Sequence, residues 1–210
     1  MRRLFVAACL SLTVLAPSSA ATLPSAQFSV QQKAELDRVS AALNAIHALK
    51  GSFVQINPDG ALAQGKFYIQ KPGRMRFEYD PPTPTLIVSD GATVAVKNTE
   101  LNTVDRYPLV STPLDIVLSD KLDLKDNDAV TSVTREGGSI IVKARSTDSR
   151  MQGSIALVFS GPDLELRQWT VIDPQGLSTT VALRDVEKDV SLSPSLFVLK
   201  EKNRFTRDDD

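Results

Sequence analysis

Between Phe53 and Leu183, apolar residues recur at every second position in short runs, and each run is cut by Gly, Pro, Asn or Asp. A period of two sends alternate side chains to opposite faces of a strand, so a chain patterned this way buries its apolar set only by forming a sheet. Gly65 to Gln70 reads as a strand ended by Lys71-Pro72-Gly73. Arg74 to Asp80 alternates strictly, and Thr85 to Ser89 turns at Asp90-Gly91. Ala92, Val94 and Val96 share a face, and Leu101 to Tyr107 follows. Val130 to Arg135 and Ser139 to Arg145 flank Glu136-Gly137-Gly138, a hairpin signal. Ile155, Leu157 and Phe159 are in phase. Leu164 and Leu166 are out of phase with Trp169 and Val171, which predicts a bulge near Arg167-Gln168. Leu177, Thr179, Val181 and Leu183 alternate again, and Phe197 to Leu199 reads as a further edge strand. The pattern predicts roughly eleven strands in uninterrupted order, a meander long enough that it must curl.

Two segments break the rhythm. In Gln31 to Leu49 the residues Leu36, Val39, Leu43, Ile46 and Leu49 recur at spacings of three and four, which predicts an amphipathic helix ended by Gly51. Between Pro108 and Asp120, Thr112-Pro113 suits a helix start, with Leu114, Val117 and Leu118 on one face. The charged stretch Asp120 to Asp128 reads as a loop. The expected architecture is mainly β with α: a curled antiparallel sheet covered by an N-terminal amphipathic helix and a short helical segment.

The first residues read as an export signal. Arg2 and Arg3 precede an apolar run from Leu4 to Ala16, and Ser18-Ser19-Ala20 supplies small residues for cleavage. The run is too short for a transmembrane helix. A rival reading takes Val6-Ala7-Ala8-Cys9 as a lipidation box, which leaves a very short apolar core. With cleavage near Ala20, residues 1–20 are a signal peptide and 21–210 form one domain, with 204–210 a frayed tail. Losing Arg2 and Arg3 from 24 basic side chains leaves 22 against 25 acidic ones, a net charge of −3. That balance argues against nucleic acid as a partner. Cys9 is the only cysteine, so the processed chain makes no disulfide and is held by its core.

Parts for catalysis are missing. His47 is the single histidine and stands just after Ile46, with no cysteine or second histidine for a metal site. Ser89-Asp90-Gly91 is more simply a turn than a nucleophile, because no base is placed for it. The glycines sit singly at turns, not in a phosphate loop. No cofactor and no enzymatic activity are expected. Binding has more support. Met75, Phe77 and Tyr79 alternate with Arg74, Arg76 and Glu78. They form either an ordinary core face or the wall of an apolar cavity. Thioether and aromatic side chains adapt to irregular apolar guests. As a cavity wall left to water, this strand should tolerate a carboxylate at Phe77.

The stretch Gln70-Lys71-Pro72-Gly73-Arg74-Met75-Arg76-Phe77-Glu78-Tyr79, then Pro81-Pro82, then Ile87-Val88-Ser89-Asp90-Gly91, resembles the signature of the LolA family. Gly51-Ser52-Phe53-Val54-Gln55 resembles the family's opening strand, and Thr112-Pro113-Leu114 the start of its lid. From Asp120 onward only strand order matches. The resemblance implies an unclosed half-barrel with a helical lid. It implies a monomeric periplasmic carrier that takes acylated lipoproteins from an inner-membrane lipoprotein-releasing ABC transporter to an outer-membrane receptor or to the membrane. By position, Leu43, Ile46, Met75, Phe77, Tyr79 and Ile87 would line the lipid site, with Leu114, Ile116 and Val117 in the lid and Lys71 as its latch. Two positions depart from the family. Lys71 stands where arginine is frequent, which implies a looser latch. Asp115 stands where an apolar residue is common, and it should point to solvent or mark a shifted lid. Three other readings stay open: a lipidated receptor of the same fold, an envelope sensor that binds a protein on a similar sheet, and a carrier of another lipid.

Overall fold

The computed structural model describes residues 28–146 and 153–200. The expected leader, Cys9 and the expected tail lie outside them. Helix α1 (Val30–Asn44) opens on a capping box: the Ser29 hydroxyl accepts from the Gln32 amide at 3.2 Å, and the Gln32 side chain accepts from the Ser29 amide at 3.0 Å. Leu36, Val39 and Leu43 are fully buried along one face.

The helix ends before the expected Leu49, and His47 falls in the turn beyond it. Strand β1 (Ala48–Ile56) takes over because it pairs on both sides, with β2 (Leu62–Gln70) and with β11 (Ser178–Lys188). An apolar residue at 49 fits either period, and a strand paired on both sides satisfies its backbone without a helix. Gly51 therefore lies inside β1 instead of stopping α1. Its inner face has no room for a methyl group, since a Cβ there would lie 2.8 Å from the Phe67 ring.

The remaining strands are β3 (Arg74–Tyr79), β4 (Thr85–Asp90), β5 (Thr93–Asn98), β6 (Thr103–Pro108), β7 (Val130–Glu136), β8 (Ser139–Arg145), β9 (Ser154–Ser160) and β10 (Glu165–Ile172). Their pairing is antiparallel throughout, in the order β6-β5-β4-β3-β2-β1-β11-β10-β9-β8-β7. The order is not one meander. Two meanders join where the first and last strands meet, and β6 and β7 are left as unpaired edges. The bulge expected near Arg167-Gln168 is present as a register shift between Leu166 and Gln168, and it keeps both Leu166 and Trp169 in the core.

Residues 109–129 cross from one free edge to the other. They hold a 3-10 turn (Leu109–Ser111) and a single helical turn, α2 (Asp115–Leu118). Pro113 lies before α2 and not at its first position. Ile116, Val117 and Leu118 are all buried, so α2 has no single apolar face; it is enclosed.

The expected edge strand at Phe197–Leu199 is instead a 3-10 turn (Pro194–Phe197). Pro194 lacks an amide donor, which disfavours a paired strand there. Phe197 is buried on the convex face, with the Arg74 guanidinium 5.8 Å from its ring centre. Arg76 donates to the Leu196 carbonyl at 3.1 Å.

Candidate functional site

Cross-strand register places the side chains of the concave face. Phe67, Phe77, Ile87 and Val96 form one row across β2 to β5, and Phe53, Gly65 and Tyr79 form the adjacent row across β1 to β3. With no side chain at Gly65, the Phe53 and Tyr79 rings meet over it at 4.9 Å. Phe77 lies 4.9 Å from Phe53, 5.8 Å from Phe67 and 5.9 Å from Trp169. The Tyr79 hydroxyl donates to Gln55 at 2.6 Å, and burial pushes its ionisation up to about 12.

The nine apolar positions expected to line the site fall in one cluster. Leu43, Met75, Phe77, Ile116 and Val117 are buried in it, and Ile46, Tyr79, Ile87 and Leu114 pack against it half-buried. Phe77 is only 4 % exposed, so in this state the wall is dry core and not a surface left to water. Ile46 also borders a cavity of about 190 Å³ between the end of α1 and the sheet, with Leu49, Leu164, Leu166 and Val186.

Sequence reasoning missed Phe53, Phe67 and Trp169 as partners of Phe77, because register is invisible in a period-two pattern. It also missed Leu122 and Leu124, which are buried within the charged loop. Their spacing of two inside that loop was the available signal.

Two motif pieces that are distant in sequence touch. The Ser89 hydroxyl is fully buried and donates to the Gly73 carbonyl at 2.7 Å. The Asp90 carboxylate accepts from the Ala92 and Thr93 amides, both at 2.9 Å, which holds it below the usual range. Gly73 has φ +71, and a Cβ there would lie 2.7 Å from the Gly91 backbone. The Lys71-Pro72-Gly73 turn is thus fixed against Ser89-Asp90-Gly91. The turn aims the Gly73 amide at the lid, where it donates to the Leu118 carbonyl at 2.9 Å.

The lid has further pins on α1. The Asn44 side chain donates to the Leu122 carbonyl and accepts from the Leu122 amide, both at 2.9 Å. The Leu124 amide donates to the Ser40 hydroxyl at 3.0 Å, and Lys125 pairs with Asp37 at 2.9 Å. Lys71 does not reach a lid carbonyl. Its ammonium donates to the Leu43 carbonyl of α1 at 2.8 Å.

Burial lowers the Lys71 ionisation from 10.5 to about 8, partly offset by Asp120. Between these values the unfolded chain binds more protons at this position than the folded one, so stability rises with pH across that window. Tyr79 acts in the opposite sense, lowering stability as pH climbs from 10.0 towards about 12. Urea unfolding at about pH 7 and about pH 9.5 should show a gain for the wild type at the higher pH. Lys71→Met should lose that gain, and an equal gain in the variant would assign it to another group.

Residues 44–200 match the model of the family described as outer membrane lipoprotein carrier protein LolA. An outer-membrane lipoprotein carrier protein of Cupriavidus pinatubonensis is 26% identical over 210 residues, covering 93% of this chain and 93% of its own length. That of Methylococcus capsulatus is 28% identical over 170 residues, covering 76% and 80%. Among solved structures, a chain of the Pseudomonas aeruginosa MucA/MucB complex aligns with a TM-score of 0.43 at 11% identity, covering 80% of this chain and 60% of that one.

Proposed function

The chain belongs to the LolA family of outer membrane lipoprotein carrier proteins, and from that premise we propose that it is a periplasmic carrier sheltering the acyl chains of lipoproteins on its concave face. Residues 21–210 form the carrier domain, released from a leader at 1–20. Cargo comes from an inner-membrane lipoprotein-releasing ABC transporter and passes to an outer-membrane receptor or to the membrane. The family is one of carriers, not of catalysts.

The observation that carries the reading is an apolar wall inside an unclosed sheet, covered by a segment that spans the two free edges. Acyl chains take the place of Leu114, Ile116 and Val117 in the apolar cluster that also holds Phe77 and Leu43. Apolar surface stays buried in both states, so the states differ by only a few kcal/mol and cargo shifts the balance. Each sheltered methylene contributes about 0.8 kcal/mol, so ten or more contribute on the order of 8 kcal/mol. Release then runs downhill to an acceptor that binds more tightly.

The lid is tied to α1 at Asp37–Lys125. Cysteines at these two positions, joined by a short cleavable thiol-reactive linker, should block uptake of an acylated peptide, and cleavage should restore it. Undiminished uptake with the linker intact would show that this segment does not gate the wall.

A further inference from the structure

Nine large apolar side chains are exposed among the described residues, and five of them, Ile56, Leu62, Leu101, Ile172 and Leu177, belong to one end of the sheet. Antiparallel pairing sets the β1–β2, β5–β6 and β10–β11 turns at that end, and a leucine stands in or beside each. Leu62 and Leu101 are 71 % exposed and Leu177 is 52 % exposed. Ile56 is the cross-strand partner of Leu62, and Ile172 ends β10 beside the third turn. Single exposed apolar residues are ordinary. A group confined to one end, at turns where polar residues are usual, marks a contact surface.

The turns fix the backbone that presents these leucines. The Leu101 amide donates to the Asn98 side chain at 2.8 Å, and the Leu177 amide to the Asp173 carboxylate at 2.9 Å. Beside Leu62, the Ala61 amide donates to the Asp59 carboxylate at 2.9 Å. The three leucines do not line a groove. Measured along the sheet, Leu101 stands three strand spacings from Leu62, roughly 14 Å, and Leu177 two spacings to the other side, roughly 10 Å. One pocket on a protein partner cannot take all three, whereas a fluid interface takes each where it lies. The five side chains expose only a few hundred Å², where a stable protein interface buries roughly 800 Å² on each partner. Charge narrows the occupant further. Turn residues 57–61, 80–84, 99–102 and 173–177 include Asp59, Asp80, Glu100 and Asp173, and no lysine or arginine. Turns without cations are not drawn to anionic headgroups.

We propose that this end of the sheet is a membrane-contact rim, with Leu62, Leu101 and Leu177 dipping into the interface of a lipid bilayer of low net charge. The contact is driven by burial of apolar side chains and is weak and reversible, because three leucines bury far less than an acyl anchor does. The acidic turn residues stay in water and set the lipid preference: a negative surface repels them. The inference goes beyond the carrier reading above. It gives the protein its own way of touching an acceptor bilayer, with one end of the open sheet turned to the lipid.

The test is co-sedimentation of the exported chain, without its apolar leader, with vesicles of phosphatidylcholine and with vesicles that also contain phosphatidylglycerol. The wild type should partition onto the neutral vesicles and less onto the anionic ones. Leu62→Gln combined with Leu177→Gln should lower the partition about tenfold, the scale of two partly buried leucines. Circular dichroism should show both variants folded, since these side chains are exposed. Val30→Gln is the control: Val30 is more exposed than any of the three leucines but starts α1, and its loss should leave the partition unchanged. No sedimentation with either vesicle would overturn the proposal in favour of a protein partner for this end. So would binding that grows with anionic lipid, or that the leucine variant retains, or that Val30→Gln weakens as much. The assay uses unloaded protein, so its outcome stands apart from the carrier reading, which uptake of an acylated peptide tests.

Discussion

Phe77→Asp is expected to unfold the unloaded protein, not merely to empty its lipid site. Phe77 is 4 % exposed and touches the rings of Phe53, Phe67 and Trp169. Truncating such a side chain costs about 3–5 kcal/mol through lost contacts and the cavity left behind. A carboxylate adds the cost of desolvating a charge with no partner, which takes the sum towards the whole stability of a domain this size. Phe77→Leu keeps an apolar side chain of roughly similar volume and should cost about 1–2 kcal/mol. Circular dichroism during urea unfolding measures both. A folded Phe77→Asp with a loss under about 1 kcal/mol would mean that water already reaches this wall, and that the lid is open in the free protein.

Gly65→Ala is expected to be nearly as damaging, although it adds one methyl group. A Cβ at Gly65 would lie 1.9 Å from the Glu78 carbonyl oxygen, on the neighbouring strand. Backbone cannot move aside as a flexible side chain does, so β2 and β3 must separate. Their ladder and the Phe53–Tyr79 ring contact over Gly65 would be lost together. The expected cost is about 3 kcal/mol or more, at the upper end for overpacking. Gly60→Ala provides the control. A Cβ there meets nothing within 4 Å, and only its left-handed φ of +83 opposes alanine. That penalty is about 1–2 kcal/mol. Equal losses for the two variants in thermal unfolding would show that β2 and β3 are less closely apposed than 1.9 Å implies.

Much of this fold is legible in the chain because its signals are local. Period two fixes strands wherever turn residues bound them, and the phase shift between Leu166 and Trp169 shows the bulge before any partner is known. Periods of three and four find α1, while the Ser29–Gln32 capping box that starts it emerges only in the structure. Met75, Phe77 and Tyr79 share the apolar face of β3 for the same local reason, since they alternate strictly with Arg74, Arg76 and Glu78.

Tertiary structure alone decides the rest. An apolar residue such as Leu49 satisfies a helix or a strand locally, and pairing on both sides of β1 settles the choice. The meeting of β1 with β11 leaves the sheet open at the lid, yet it joins segments more than a hundred residues apart that no local pattern links. The same holds for the latch. A lysine in sequence does not reveal which carbonyl it will reach, and the Lys71 ammonium bonds to Leu43 of α1 while the backbone of Gly73 holds the lid. Sequence periodicity determines which side chains want burial, because that depends on each residue's own chemistry. Which of them meet depends on register and chain crossing, set by the backbone hydrogen bonds of the whole sheet.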